Sequence, residues 1–132
     1  MIDADHFKAI NDSHGHNIGD RVLVKLSECF KTVFRATDIC SRIGGEEFAV
    51  LLTETSIENA RIAAERCHTM VRDQSVVTDE GKTVKFTVSI GIAKYPENNT
   101  ADLEQLMKMA DIALYAAKDK GRDQTYIYEY QV

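Results

Sequence analysis

Gly44-Gly45 separates two runs of strand-forming residues, 39–43 and 46–52, and no other feature restricts the fold so tightly. Two residues free to adopt positive φ make a tight turn between antiparallel strands. A parallel pair would need a crossover of about a dozen residues or more. A doubly wound parallel sheet therefore fits poorly, and the segment reads as a β-hairpin.

The flanking segments supply helices. Val22, Leu23, Leu26, Phe30, Val33 and Phe34 recur at helical spacing across 20–34, with Asp20 placed to cap the start. A second helix is expected over 57–71, where Thr55 and Glu58 have capping-box spacing and Ala60, Ala63, Ala64, Cys67 and Val71 form an apolar face. Alternation of Val84, Phe86, Val88 and Ile90 with polar residues makes 82–94 strand-rich, and Pro96 helps end it. A third helix is expected over 101–120, carrying Leu103, Leu106, Met107, Ala110, Ala113, Leu114 and Ala117 and stopped at Gly121; an edge strand follows over 125–130. Helix, hairpin, helix, strand, helix, strand is the order of an α+β domain with an antiparallel sheet and helices on one face.

Charge narrows the partners. The 132-residue chain has 21 acidic and 16 basic side chains and a formal charge of −5, so the broad basic face that duplex DNA requires is not expected. An anionic ligand would need a local basic cluster, backbone N–H groups or a metal. No apolar stretch reaches the ~20 residues of a membrane span, so no membrane contact is expected. Cys29, Cys40 and Cys67 have no metal-ligand spacing and read as buried small hydrophobes in a reducing cytoplasm.

The residues able to carry chemistry each have an ordinary reading as well. Glu46 and Glu47 beside the two glycines could be solvated turn residues, and a metal site shared by adjacent strand residues would need distorted turn geometry. Asp3 and Asp5 share one side of a strand end by period-2 alternation and offer the hard oxygens that Mg²⁺ prefers. Asn11 suits a turn and Asp20 a cap, yet an amide and a carboxylate together could also read the edge of guanine. Lys118 and Arg122 flank Gly121 and suit either the negative end of a helix dipole or a phosphate clamp. His14 and His16 lack the further ligands a zinc site needs, and His68 reads as a helix-surface residue.

Taken in order, these pieces resemble the GGDEF-domain family, the diguanylate cyclases. The resemblance is carried by Asp3-Ala4-Asp5-His6-Phe7-Lys8-Ala9-Ile10-Asn11-Asp12, Gly15-His16, Gly19-Asp20, Gly44-Gly45-Glu46-Glu47-Phe48, Val88-Ser89-Ile90-Gly91-Ile92-Ala93, and Ala110-Asp111-Ile112-Ala113-Leu114-Tyr115 through Ala117-Lys118 to Gly121-Arg122. It implies a ferredoxin-like palm of the nucleotidyl cyclase type, an antiparallel central sheet flanked by helices. It also implies condensation of two GTP into cyclic di-GMP with release of two pyrophosphates, dependent on Mg²⁺ (Mn²⁺ being the alternative ion) and on a homodimer that brings two subunits face to face. Asp3, the Ala4 carbonyl, Glu46 and Glu47 match metal-binding positions, and Glu46 also matches the position that activates the 3′-hydroxyl. Phe7 and Lys8 match a phosphate-cradling turn, Asn11 and Asp20 the guanine-reading pair, and Lys118 and Arg122 phosphate ligands. Glu46 stands where aspartate is commoner and keeps the carboxylate.

Arg35-Ala36-Thr37-Asp38 has the RxxD pattern of the family's product-inhibition site, and Arg66 matches a further contributor to cyclic di-GMP binding. Read without the family, Arg35 and Asp38 are a surface ion pair at helical i,i+3 spacing. Residues 1–132 are expected to be one such domain lacking its beginning, because only Met1 and Ile2 precede Asp3. A cytoplasmic location is expected, with an upstream sensory domain and a membrane anchor left open for a longer protein. The alternatives to an active cyclase are a non-catalytic cyclic di-GMP receptor and a GTP-binding regulatory domain. The intact hairpin tip favours the cyclase.

Overall fold

A computed structural model describes residues 1–95 and 102–129. Pro96, the expected helix start at Ala101 and the expected strand end at Tyr130 lie outside them. The elements run β1 (Ile2–Ala4), α1 (Phe7–His14), α2 (His16–Val33), β2 (Ile39–Gly44), β3 (Glu47–Leu51), α3 (Ile57–Arg72), β4 (Val76–Val77), β5 (Thr83–Val84), β6 (Val88–Ile92), α4 (Leu103–Asp119) and β7 (Thr125–Ile127). The fold is α+β, as the hairpin requires. Among the described residues no helix is long and apolar enough to cross a membrane.

Five strands form the central sheet in the order β2-β3-β1-β6-β7, while β4 and β5 make a separate ribbon. β1 lies antiparallel between β3 and β6, but β7 joins β6 in parallel. α4 is the crossover that parallel pairing demands. The hairpin is irregular: Arg42 pairs with Phe48 and Gly44 with Glu47, so Ile43 is extruded as a bulge. Gly45 turns at φ 41°, in the left-handed region open to glycine.

Helices cover both faces of the sheet, not one. Alternate strand residues point to opposite sides. Val88 and Ile90 join Ile2 and Phe48 in a core with Val22, Leu26 and Phe30 of α2 and Cys67 and Val71 of α3. Phe30 meets Phe48 edge-on, with ring centroids 5.0 Å apart. Gly91 faces the other way, so close to α4 that an added Cβ would collide with the Ala110 carbonyl and Leu114 amide and lie 2.7 Å from Leu114 Cα. The buried Ala110, Ala113, Leu114 and Ala117 make that approach possible. α4 covers the β6–β7 half of this face. Towards the hairpin an apolar groove of about 840 Å³ remains, lined by Ile39, Ile43, Leu51, Leu106 and Met107 among others.

Several local expectations are corrected. Asp20 does not cap α2: the helix begins four residues earlier, after Gly15, whose φ of 89° breaks α1 from α2. Asn11 lies inside α1 and not in a turn. Ser56, not Thr55, caps α3 by accepting from the Asn59 amide. His68 is buried and hydrogen-bonds Thr125 Oγ1 at 2.8 Å, and burial lowers its pKa. Cys29 and Cys67 are buried and burial raises both thiols, Cys67 to about 12, whereas Cys40 is exposed because β2 is the edge strand.

Candidate active site

Antiparallel pairing places the carboxylates. Asp3 stands directly opposite Glu47 on one side and Ser89 on the other, so the three share the α4 face of the sheet. Glu46 occupies the turn just before β3, and its carbonyl accepts the Ala4 amide at 3.2 Å. The hairpin tip thus meets the end of β1 through the backbone, and the charge of Glu46 acts on the Asp3 carboxylate. The turn and the Ile43 bulge break the regular strand geometry beside Glu46 and Glu47.

Asp3 is only 4% exposed. Lys118, near the end of α4, donates its ammonium to Asp3 Oδ2, while Asp3 Oδ1 is buried without a hydrogen-bond partner. Burial is the largest influence on Asp3 and raises its pKa; Lys118 pulls it back down, and the charges of Glu46 and Asp5 push it up again. Among the described residues no three His, Cys, Asp or Glu side chains stand as a ready coordination cluster. Even so, the orphaned Asp3 oxygen, with the Glu47 residue opposite it across the strands and the charge of Glu46 acting on it, is the kind of hard oxygen donor a divalent cation takes.

Asp5 has a different task. Its carboxylate accepts from Thr87 Oγ1 at 2.7 Å, Ser89 Oγ at 2.6 Å and the Asp123 amide at 3.0 Å. Asp123 is also gripped by Arg72 of α3, Nε to both carboxylate oxygens at 3.1 Å. These anchors hold Arg122 and Asp123 at φ 65° and 48°, left-handed values that cost a non-glycine residue about 1–2 kcal/mol each. Sequence reading missed this clamp, since nothing in the residue pattern announces strained backbone. Asp5→Ala is expected to destabilise the chain by about 3 kcal/mol in urea unfolding, because it strands two hydroxyls and an amide. A loss under 1 kcal/mol would show that water replaces the carboxylate.

Phe7 and Lys8 open α1, whose first N–H groups have no intrahelical acceptor and no side-chain cap. They follow directly on β1, so these donors lie at the same end of the sheet as Asp3. Asn11 points across to α2, where Gly19 leaves it room, and exposed Asp20 comes next. Arg35 bonds Asp38 through its backbone amide at 2.9 Å and its guanidinium at 3.2 Å, and also reaches the Thr53 carbonyl and Thr55 Oγ1, both at 2.8 Å. The pair spans a turn, not a helix. Burial works against the Asp38 carboxylate, but the Arg35 hydrogen bonds prevail and hold its pKa below the usual range. Arg66 is exposed on α3, with no bond to either.

Asp3, Ala4, Glu46 and Glu47 thus come together where β1 meets the hairpin, with Lys118 bonded to Asp3. Arg122 is tied to it through Asp123 and Asp5, and Asn11 and Asp20 stand along α1 and α2. The family model described as "Diguanylate cyclase, GGDEF domain" matches residues 1–124. The probable diguanylate cyclase DgcE of Escherichia coli is 40% identical over 131 residues, 99% of this chain and 12% of that protein. The active GGEEF domain of a diguanylate cyclase from Vibrio cholerae is 32% identical with a TM-score of 0.85, covering 98% of this chain and 81% of that one. The GGDEF domain of DgcB from Caulobacter crescentus, solved with c-di-GMP, is 29% identical with a TM-score of 0.90, over 98% and 75%. The chain spans from 12% to 35% of the curated relatives it matches first.

Proposed function

Because this chain belongs to the GGDEF-domain family of diguanylate cyclases, we propose that it condenses two GTP into cyclic di-GMP and releases two pyrophosphates. The observation that carries the reading is the buried Asp3 carboxylate, opposite Glu47, beside the Glu46 turn and bonded to Lys118. A receptor of product has no use for that cluster. A reaction between polyphosphates does.

Asp3, the Ala4 carbonyl, Glu46 and Glu47 would hold divalent metal. Mg²⁺ or Mn²⁺ bound there supplies neutralisation of phosphate charge and a lowered pKa for the attacking hydroxyl. The α1 N-terminal amides at Phe7 and Lys8, with Lys118 and Arg122, bind and orient the triphosphate. Asn11 and Asp20 read the guanine edge. The 3′-oxygen of one GTP attacks the α-phosphorus of the other, its proton passes to Glu46, and the bond to the β-phosphate breaks. The reciprocal step closes the ring. Each subunit presents one GTP, so a two-fold dimer turns the encounter into a high-effective-concentration reaction.

Enforced dimers of the chain, incubated with GTP and Mg²⁺, are expected to yield cyclic di-GMP and pyrophosphate in a 1:2 ratio. Binding of GTP or of cyclic di-GMP without product would replace this reading by a regulatory or receptor domain.

Arg35, Asp38 and Arg66 are proposed to bind the product and limit its own synthesis, with the guanidinium offering forks and a stacking plane. Arg35→Ala should raise the inhibition constant for cyclic di-GMP at least about tenfold, a loss equal to one charge-assisted hydrogen bond. An unchanged constant overturns the assignment. The same variant has a second signature. Asp38's folded pKa is depressed, so its stabilisation is present above the unfolded carboxylate value of about 4 and is lost as pH falls through the folded value. Without Arg35 the acid-unfolding midpoint should move to higher pH.

A further inference from the structure

Gly19 sits buried inside α2, one residue before Asp20, and its φ is not among the chain's positive values. Backbone freedom therefore does not explain it. Glycine inside a helix costs about 0.5–1 kcal/mol relative to alanine, so the position keeps an unfavourable residue where alanine would suit the backbone. Space is the reason. A Cβ here would overlap Asn11 Oδ1 and lie 2.9 Å from Asn11 Cγ and 3.2 Å from Phe7 Cζ.

The three nearest atoms it would meet all belong to side chains, and both residues, Asn11 and Phe7, are ones the proposed chemistry assigns to substrate. The Gly15 amide donates to the Asn11 carbonyl at 2.8 Å and the Gly19 amide to the Gly15 carbonyl at 3.2 Å, so the backbone fixes how α1 meets α2. The Asn11 amide then lies in the gap over Gly19. Its Oδ1 is buried and has no hydrogen-bond partner, so packing sets its position. Such an amide moves when its packing surface moves.

We infer that Gly19 is a specificity-determining position that, by carrying no side chain, seats the Asn11 amide between α1 and α2 so that guanine is preferred over adenine. This rests on the reading of Asn11 and Asp20 as the base-recognising pair. Gly19 touches no substrate and acts through Asn11, which makes it a positioning residue. A methyl group here turns Asn11 aside at little cost to the fold, since the side chain can yield and the helix gains propensity.

The test uses 3′-deoxy-GTP and 3′-deoxy-ATP, which bind but lack the attacking hydroxyl, in calorimetry with Mg²⁺. Gly19→Ala is expected to weaken 3′-deoxy-GTP at least about tenfold, as for loss of a good hydrogen bond, and to lower the guanine-over-adenine preference by a similar factor. Its thermal midpoint should hold or rise. In an Asn11→Ala background the same substitution should change affinity less than twofold. An unaltered preference, an equal loss for both nucleotides, a loss of the same size without Asn11, or a marked fall in thermal midpoint each overturns the inference. If the unsubstituted chain itself fails to prefer guanine, the base-reading pair fails first and Gly19 with it. If it prefers guanine and Gly19→Ala does too, only the role of Gly19 is lost.

Discussion

Glu46→Gln is expected to lower the rate of cyclic di-GMP formation by at least about 10²-fold, the scale of a lost acid–base group, while the thermal midpoint stays within about 2 °C. Glu46 occupies the hairpin turn, and its backbone carbonyl carries the bond to Ala4. Gln keeps that backbone and nearly the same shape, so folding has little to lose. The charge is what disappears. Because Glu46 helps raise the Asp3 pKa, neutralising it should also lower the Asp3 pKa in an NMR titration without nucleotide. That readout separates two outcomes. A lowered Asp3 pKa with retained turnover would place Glu46 beside the site but outside its chemistry. No change in either would put it outside the site altogether.

Gly91→Ala should be the most damaging small substitution in the sheet. The added carbon would meet the Ala110 carbonyl, the Leu114 amide and Leu114 Cα, all backbone atoms of α4 that cannot rotate away. Overpacking usually costs 1–3 kcal/mol, and with no flexible neighbour about 3 kcal/mol or more is expected. In a domain of this size that lowers the thermal midpoint by about 10 °C. Gly44→Ala is the control. A Cβ there meets nothing within 4 Å and the residue has no positive φ, so its midpoint should move by less than about 2 °C. A Gly91→Ala variant as stable as this control would mean that α4 can ride away from the sheet.

The hairpin, α3 and α4 were legible because their patterns are local: a Gly-Gly turn between strand runs, and apolar residues at helical spacing. α1 was not. Its Asn11-Asp12-Ser13-His14 end is poor in helix formers, and eight residues cannot hold a helix without packing. Only its seat against α2 makes it form, and that contact is tertiary. His68 could have been found, since it falls four residues after Ala64 on the buried stripe, but its polar ring suggested the surface. The second covered face followed from the parallel β6–β7 pairing, which periodicity does not encode. Of the proposed site, the residues were legible as family motifs and their proximity was not. Gly19 and Gly91 carry no side chain whose chemistry could mark them; only the atoms around them give them meaning.

The close seat of α4 on Gly91 has one more consequence. Asp3 lies in the middle strand, Glu47 in its neighbour and Lys118 on a helix pressed against the next strand. Arg122 is braced by Asp5 and by Arg72 through Asp123. Little in such an arrangement can open or close by itself. On the proposed chemistry each subunit is a stiff half-mould, and output depends on how often and how squarely two halves face each other. A signal would then act by steering whole domains into register, leaving the interior of each unchanged.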